Sequence, residues 1–212
     1  MKVEQIDHPL VAQKMTALRD VNTNSQDFRR LVDELVTLLA YEATRNLKVE
    51  AKSIMTPVAS TIGVDIKKPM PVVIPIIRAG LGMLEGMQKI LPLAEIGFLG
   101  MKRDETTLAI ETYANRLPLN LTNRQCYILD PMLATGHTLG ASINYLSVLG
   151  ATDITSINLL AAPEGIKEIE RQLTDNVNLT IVTANIDEGL NEKGYIVPGL
   201  GDAGDRLYGV VG

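Results

Sequence analysis

A chain of 212 residues that is 46% hydrophobic and 4% aromatic has enough apolar material to bury a core, and is expected to form a single domain over 1–212. Its formal net charge of -5 gives no general attraction to nucleic acid or anionic membranes, and its lone cysteine, Cys126, excludes an intrachain disulfide and a cysteine-rich zinc site. The longest strongly apolar run lies within "PMPVVIPII", too short for a membrane span and broken by Pro71 and Pro75, and the N-terminus lacks the apolar stretch of a signal peptide. A soluble, cytoplasmic protein with neither membrane nor nucleic-acid partner is the expectation.

The first clear element is helical. In "SQDFRRLVDELVTLLAYEATRNL", Phe28, Leu31, Val32, Leu35, Leu38 and Leu39 fall on one face. Buried-strand runs follow at Pro71 to Ile77, Ile96 to Gly100, Cys126 to Asp130, Ile154 to Ala162 and Asn178 to Ala184. Helical patterns, "GMLEGMQKI", "LGASINYLSVL" and "GIKEIERQL", separate most of them. This alternation predicts an α/β fold with a central, mainly parallel sheet flanked by helices, whose ligands bind beyond the carboxyl ends of the strands. Two segments stand outside it. The polar, β-branched stretch 101–125 reads as a projecting hairpin or arm, and the C-terminal tail is rich in glycine. Cys126 sits inside a strand pattern and reads as a small buried side chain, because a catalytic thiol needs a histidine partner and the chain has only His8 and His137.

Four segments at strand ends could carry chemistry. In "LDPMLATGHT" the small residues from Ala134 let backbone amides close around a phosphate at the next helix N-terminus, with Thr135 and Thr138 adding hydroxyls. This is not a Walker loop, since His137 stands where its lysine would be. Asp130 either accepts from two neighbouring ribose hydroxyls or caps the loop's own amides. His137 either touches the phosphate or stays in solvent. In "IPIIRAGLGM", Arg78 ends a buried strand where an arginine is expensive to bury unpaired; its partner is a ligand anion or an internal carboxylate. The cluster Lys102, Arg103, Asp104 and Glu105 is a solvated turn or, because it too lies beyond a strand end, part of the site. In "GYIVPGLGDAGDRLYG", glycines offer exposed backbone groups to a ligand, and Tyr195, Ile196, Val197 and Leu200 argue against a disordered tail. Together these describe a site for a phosphorylated ribose carrying a diphosphate, beside a planar base.

In chain order, "HPLV" (8–11), "LLAYEAT" (38–44), "RAGLGM" (78–83), "DPMLATG" (130–136), "AAPEGI" (161–166) and "GLNEKGYIVPGLGDAGD" (189–205) resemble the characteristic stretches of the uracil phosphoribosyltransferases. The resemblance implies a type I phosphoribosyltransferase fold with a projecting β-arm and a C-terminal base-binding hood. It implies conversion of uracil and 5-phosphoribosyl 1-diphosphate (PRPP) to UMP and diphosphate in pyrimidine salvage, with Mg2+ bound mainly through PRPP and no protein metal site. It carries Arg78 and Arg103 over as diphosphate contacts. The run Asp130, Pro131, Met132, Leu133, Ala134, Thr135, Gly136, His137 and Thr138 would hold the ribose hydroxyls and 5′-phosphate. Ile196, Gly201, Asp202 and Ala203 would face uracil, with Asp202 also facing PRPP and a candidate for handling the N1 proton. Members form homodimers or higher homo-oligomers, and some respond to a GTP effector.

Two stretches depart from the family's wording: His137 stands where glycine is common, and "LAIETYANRLP" differs in the arm. Asp130 is followed by Pro131 rather than by a second acidic residue, which favours the uracil enzymes over orotate or purine enzymes. The alternatives are a transferase for another base, an inactive scaffold, and an RNA-binding pyrimidine regulator on the same fold. The net charge and the lack of a long basic stripe count against the last.

Overall fold

The computed structural model describes residues 1–103 and 110–209, with backbone alone at 102, 103 and 110–113. The chain opens with strand β1 (Lys2–Gln5), helix α1 (Pro9–Arg19) and helix α2 (Ser25–Ala43), then a hairpin of β2 (Val49–Met55) and β3 (Ser60–Ile66). Next come β4 (Val72–Ile77), a 3-10 turn (Ala79–Met83), α3 (Leu84–Ile90), β5 (Glu95–Ile96), β6 (Phe98–Arg103) and β7 (Ile110–Arg116). The second half holds β8 (Gln125–Leu129), β9 (Met132–Leu133), α4 (His137–Val148), β10 (Asp153–Ala161), α5 (Pro163–Gln172) and β11 (Asn178–Ile186). It finishes with β12 (Gly189–Leu190), β13 (Ile196–Val197) and α6 (Ala203–Tyr208).

Among the described residues the main sheet runs β1-β11-β10-β8-β4-β6-β7, parallel except for the β6/β7 pair. Its central strands read as unbroken apolar runs because both faces are covered. Val73, Tyr127, Leu129, Ile157 and Val182 pack under α1, α2, α3 and α6, while Val72, Ile74, Cys126, Ile128, Ile154 and Ile181 pack under α4 and α5. Cys126 is the buried side chain its strand pattern implied, and burial pushes its thiol up to about 12.

Helix α2 begins where Asn24 Oδ1 accepts from the Asp27 N–H at 2.9 Å, an N-cap, and buries Phe28, Leu31, Val32, Leu35, Val36, Leu39 and Ala40. Sequence periodicity missed β1 and α1. The strand is four residues long, and α1 is a weakly amphipathic helix started by His8 and Pro9. The single strand expected at Ile96 to Gly100 is split at Gly97 into β5 and β6, both pairing with β4. Segment 101–125 does supply the hairpin expected of it, as β6 and β7, but both strands extend the main sheet. The hairpin that stands off that sheet is β2/β3, which sequence reading passed over; it forms a sheet of its own and exposes Val49, Ile54, Met55, Ile62 and Val64.

Candidate active site

The carboxyl ends of β4 and β8 and the tail after β13 converge. Two cavities adjoin there, of about 230 and 290 Å³, and share Met132, Asp202 and Ala203 as a common wall. The smaller is lined by Arg78, Ala79, Asp130, Pro131 and Gly204 as well. The larger adds Ala134, Lys193, Gly194, Tyr195, Ile196 and Gly201. Residues far apart in sequence thus meet where an open parallel sheet places its ligands.

Asp130 follows β8. Its backbone N–H donates to Ile157 C=O at 3.2 Å, which continues the ladder one residue past the strand. Burial pushes its carboxyl up to about 7, against the opposing pull of the Met132 N–H. Its position is set by two polar side chains that the sequence reading did not single out. Ser156 Oγ donates to Asn158 Oδ1 at 2.9 Å, and Asn158 Nδ2 donates to the Asp130 C=O at 2.6 Å, both residues being fully buried in β10. The available signal was a serine and an asparagine at alternate positions of an otherwise apolar strand, "ITSINLLAA", hence on one face of it. Buried polar groups of this kind are kept where they satisfy one another and a backbone group.

Pro131 and Met132 line the cavities, whereas Leu133 is 1% exposed and points its side chain into the core, so only its backbone faces the loop. Thr135 and Thr138 are exposed; His137, half-buried rather than free in solvent, starts α4 and lies 2.9 Å from Thr135 Oγ1 through Nδ1. Gly136 caps α4 with a left-handed φ of 82°, and an added Cβ would lie 2.7 Å from Gly165 C=O. Gly165, in turn, has room for no Cβ because Ala134 C=O would lie 2.3 Å away. The first turn of α5 is therefore pressed against the loop backbone, which gives "AAPEGI" its purpose: it shapes the loop from behind. Helix α4 starts at this loop, and the first N–H groups of an α-helix have no partner within the helix. Gly136→Ala is expected to destabilise the protein by about 2 kcal/mol, because both the backbone conformation and the contact with α5 are lost, and thermal melts of the variant check this.

Arg78 departs from expectation in one respect. It is exposed rather than buried, and its guanidinium makes no hydrogen bond or ion pair among the described residues. The internal salt bridge weighed from sequence is absent there, and the side chain is left to the cavity. The side chains of Lys102 and Arg103, and Asp104 and Glu105 entirely, lie outside the described residues.

The tail is ordered. β12 and β13 pair antiparallel, and Asn191 Oδ1 closes their turn by accepting from the Lys193 and Tyr195 N–H groups at 3.0 Å. Gly194 sits so that an added Cβ would lie 3.9 Å from Thr135, which brings this hairpin over the loop at Ala134–Thr138. Asp202 is exposed and N-caps α6, Oδ1 accepting from the Asp205 N–H at 2.9 Å. Arginines fasten α6 from below: Arg29 donates to Leu207 C=O, and Arg206, stacked 4.4 Å over Phe28, donates to the carbonyls of Leu18, Asp20 and Leu200. Ile196, Gly201, Asp202 and Ala203 are thereby gathered around the larger cavity, joined by Lys193, Gly194 and Tyr195, whose place in it was not foreseen.

Comparison with known proteins gives a consistent result. A family model described as uracil phosphoribosyltransferase matches residues 5–210. The uracil phosphoribosyltransferase of Beutenbergia cavernae is 64% identical over 211 residues, covering 100% of each chain, and that of Streptomyces griseus is 61% identical over 209 residues, covering 99% of each. A solved structure of an Aquifex aeolicus protein superposes with a TM-score of 0.89 at 40% identity, covering 98% of both chains. A hypoxanthine-guanine phosphoribosyltransferase of Bacillus anthracis, 13% identical, has a TM-score of 0.51 and covers 77% of this chain and 80% of its own, a likeness of fold alone.

Proposed function

The chain belongs to the uracil phosphoribosyltransferase family, and on that premise we propose that it transfers the phosphoribosyl group of PRPP to N1 of uracil, releasing diphosphate and forming UMP. The observation that carries this reading is the pair of adjoining cavities with a shared wall. One offers Arg78 beside Asp130, and the other a pocket in the tail whose lining includes the small residues Ala134, Gly194, Gly201 and Ala203, which leave backbone groups accessible. C1′ of the ribose would sit at the wall between them.

In this proposal the C1′–O bond to diphosphate breaks and the C1′–N1 bond forms through a ribosyl centre of oxocarbenium character. Arg78 and Arg103 stabilise the charge growing on the leaving diphosphate. Asp130, as an acceptor, holds the vicinal ribose hydroxyls, and the loop from Ala134 to Thr138 holds the 5′-phosphate at the start of α4. Uracil presents two carbonyl acceptors and an N3–H donor, a pattern that backbone N–H and C=O groups near Ile196, Gly201 and Ala203 can match. Cytosine reverses part of it and leaves groups unpaired. Asp202 has one carboxylate oxygen committed to the N-cap of α6, which leaves the other for the N1 proton.

The carboxylates of Asp130 and Asp202 suit a hard cation that keeps most of its ligands from substrate and water, so Mg2+ arriving on PRPP fits the site. Bound there, it would neutralise charge on the diphosphate. The exposed apolar side chains of β2/β3 support assembly into a homodimer or higher homo-oligomer. Response to GTP, a single domain over 1–212 and a cytoplasmic setting complete the reading, drawn from the family.

The test is diphosphate release from PRPP and Mg2+ with uracil, cytosine, orotate, hypoxanthine or no base, with and without GTP. Release confined to uracil, with UMP as co-product, is expected. Release with another base, or with none, would reject the assignment. In the same assay Asp202→Asn is expected to lose turnover and flatten its pH profile; full turnover with an unchanged profile removes Asp202 from the proton step.

A further inference from the structure

At the end of α1 and just past β11, Arg19 and Asp187 form an ion pair that the site described so far does not use. Arg19 Nη1 and Nη2 donate to the two Asp187 carboxylate oxygens at 2.7 and 2.5 Å, and the Asp187 side chain is 1% exposed. Asn185 Nδ2 donates to the same carboxylate at 2.6 Å. The pair does more than satisfy itself. Arg19 Nη1 also donates to Gly199 C=O at 2.8 Å, and the Gly199 N–H donates to Asp187 Oδ2 at 2.9 Å.

Both polar backbone groups of one residue are therefore held by the two halves of one ion pair. Gly199 has a left-handed φ of 66°, and an added Cβ would lie 2.1 Å from Ile196 C=O, so it is the point where the chain turns between Ile196 and Gly201. Ile196, Gly201, Asp202 and Ala203 line the larger cavity, and the turn sets where their peptide groups aim. Arg19 and Asp187 themselves line neither cavity.

We propose that Arg19 and Asp187 are positioning residues for base recognition: by clasping Gly199 they aim the backbone groups that read uracil, without acting on PRPP. The inference rests on the reading that the larger cavity holds the base. A buried charge pair suits this task because charge-assisted hydrogen bonds are short and directional, and the arginine fork reaches a carboxylate and a carbonyl at once. A lysine in its place has one point charge and cannot span both.

Steady-state kinetics of the full-length Arg19→Lys and Asp187→Asn variants, varying uracil at saturating PRPP and then the reverse, separate this from a purely structural role. Partial unfolding lowers apparent kcat by removing active molecules but leaves both KM values unchanged. A displaced base loop raises KM for uracil alone. The expected result is a roughly tenfold rise in KM for uracil, the size of one charge-assisted hydrogen bond, with KM for PRPP within about twofold of wild type. Unchanged KM values, or equal rises in both, would overturn the inference while wild-type turnover of uracil leaves the reading of the reaction standing. Wild-type protein indifferent to uracil would overturn both. If Asp187→Asn fails to fold, Arg19→Lys, which keeps a cation beside the buried carboxylate, decides the matter.

Discussion

Replacing Asp130 by asparagine is expected to lower kcat/KM for PRPP by roughly 10²- to 10⁴-fold while making the protein harder to unfold at pH 8. The first effect follows from losing two charge-assisted hydrogen bonds to the ribose hydroxyls, each about 1.5–3 kcal/mol. The second follows from where the carboxylate sits. Its carboxyl is pushed up by burial to about 7, above the ordinary 3.8. Between those pH values the folded protein holds a proton that the unfolded chain has released. The stability contributed by this group is therefore full below about pH 4, falls as pH rises, and is gone above about pH 7. The total swing is on the order of 4 kcal/mol, and the asparagine variant lacks it. Melting curves of wild type and variant from pH 4 to 8 should diverge as pH rises, and parallel curves would count against the buried ionisation. Kinetics carry the same signature. If Asp130 holds the ribose hydroxyls as proposed, they need the ionised acceptor, so wild-type kcat/KM for PRPP should fall on the acid side of about pH 7, with that limb missing in the variant. Titration of PRPP itself is common to both proteins and cancels in the comparison.

Arg78→Gln is expected to reduce kcat by roughly 10²- to 10³-fold, the usual loss when a group aimed at developing charge is removed. Its melting temperature should stay at the wild-type value. Arg78 is exposed and its guanidinium has no hydrogen-bond or ion-pair partner among the described residues, so folding gains little from it. On the proposed reading activity and stability separate in opposite senses at the two sites: Asp130 would trade stability for function, whereas Arg78 would support function alone. An Arg78→Gln protein with wild-type kcat would mean that the leaving group is held elsewhere.

Strands buried on both faces announce themselves as apolar runs, which is why β4, β8, β10 and β11 were readable from sequence. α2 was readable through its periodic face. β1 and α1 were not: four residues with mixed burial, and a helix burying Val11, Met15 and Leu18 along a polar sequence, carry little periodic signal. β2/β3 was missed because most of its apolar side chains, Val49, Ile54, Met55, Ile62 and Val64, are exposed and leave no buried-face pattern in the sequence. Leu133 was grouped with the binding loop by its position in the motif, but β9 pairing with β10 turns its side chain into the core.

By itself the sequence determined the order of the central strands and the helices between them, the chemistry available at each strand end, and, through motifs in a set order, the family. Those properties are local, or lie in short runs of residues. Only the tertiary structure decided that Arg78 lines a cavity with no ion-pair partner among the described residues, that burial raises the Asp130 carboxyl, that Gly165 shapes the loop from behind, and that Arg19 and Asp187 clasp Gly199. Each depends on groups from distant segments meeting in space, and burial and hydrogen bonding act between neighbours in space whatever their separation along the chain.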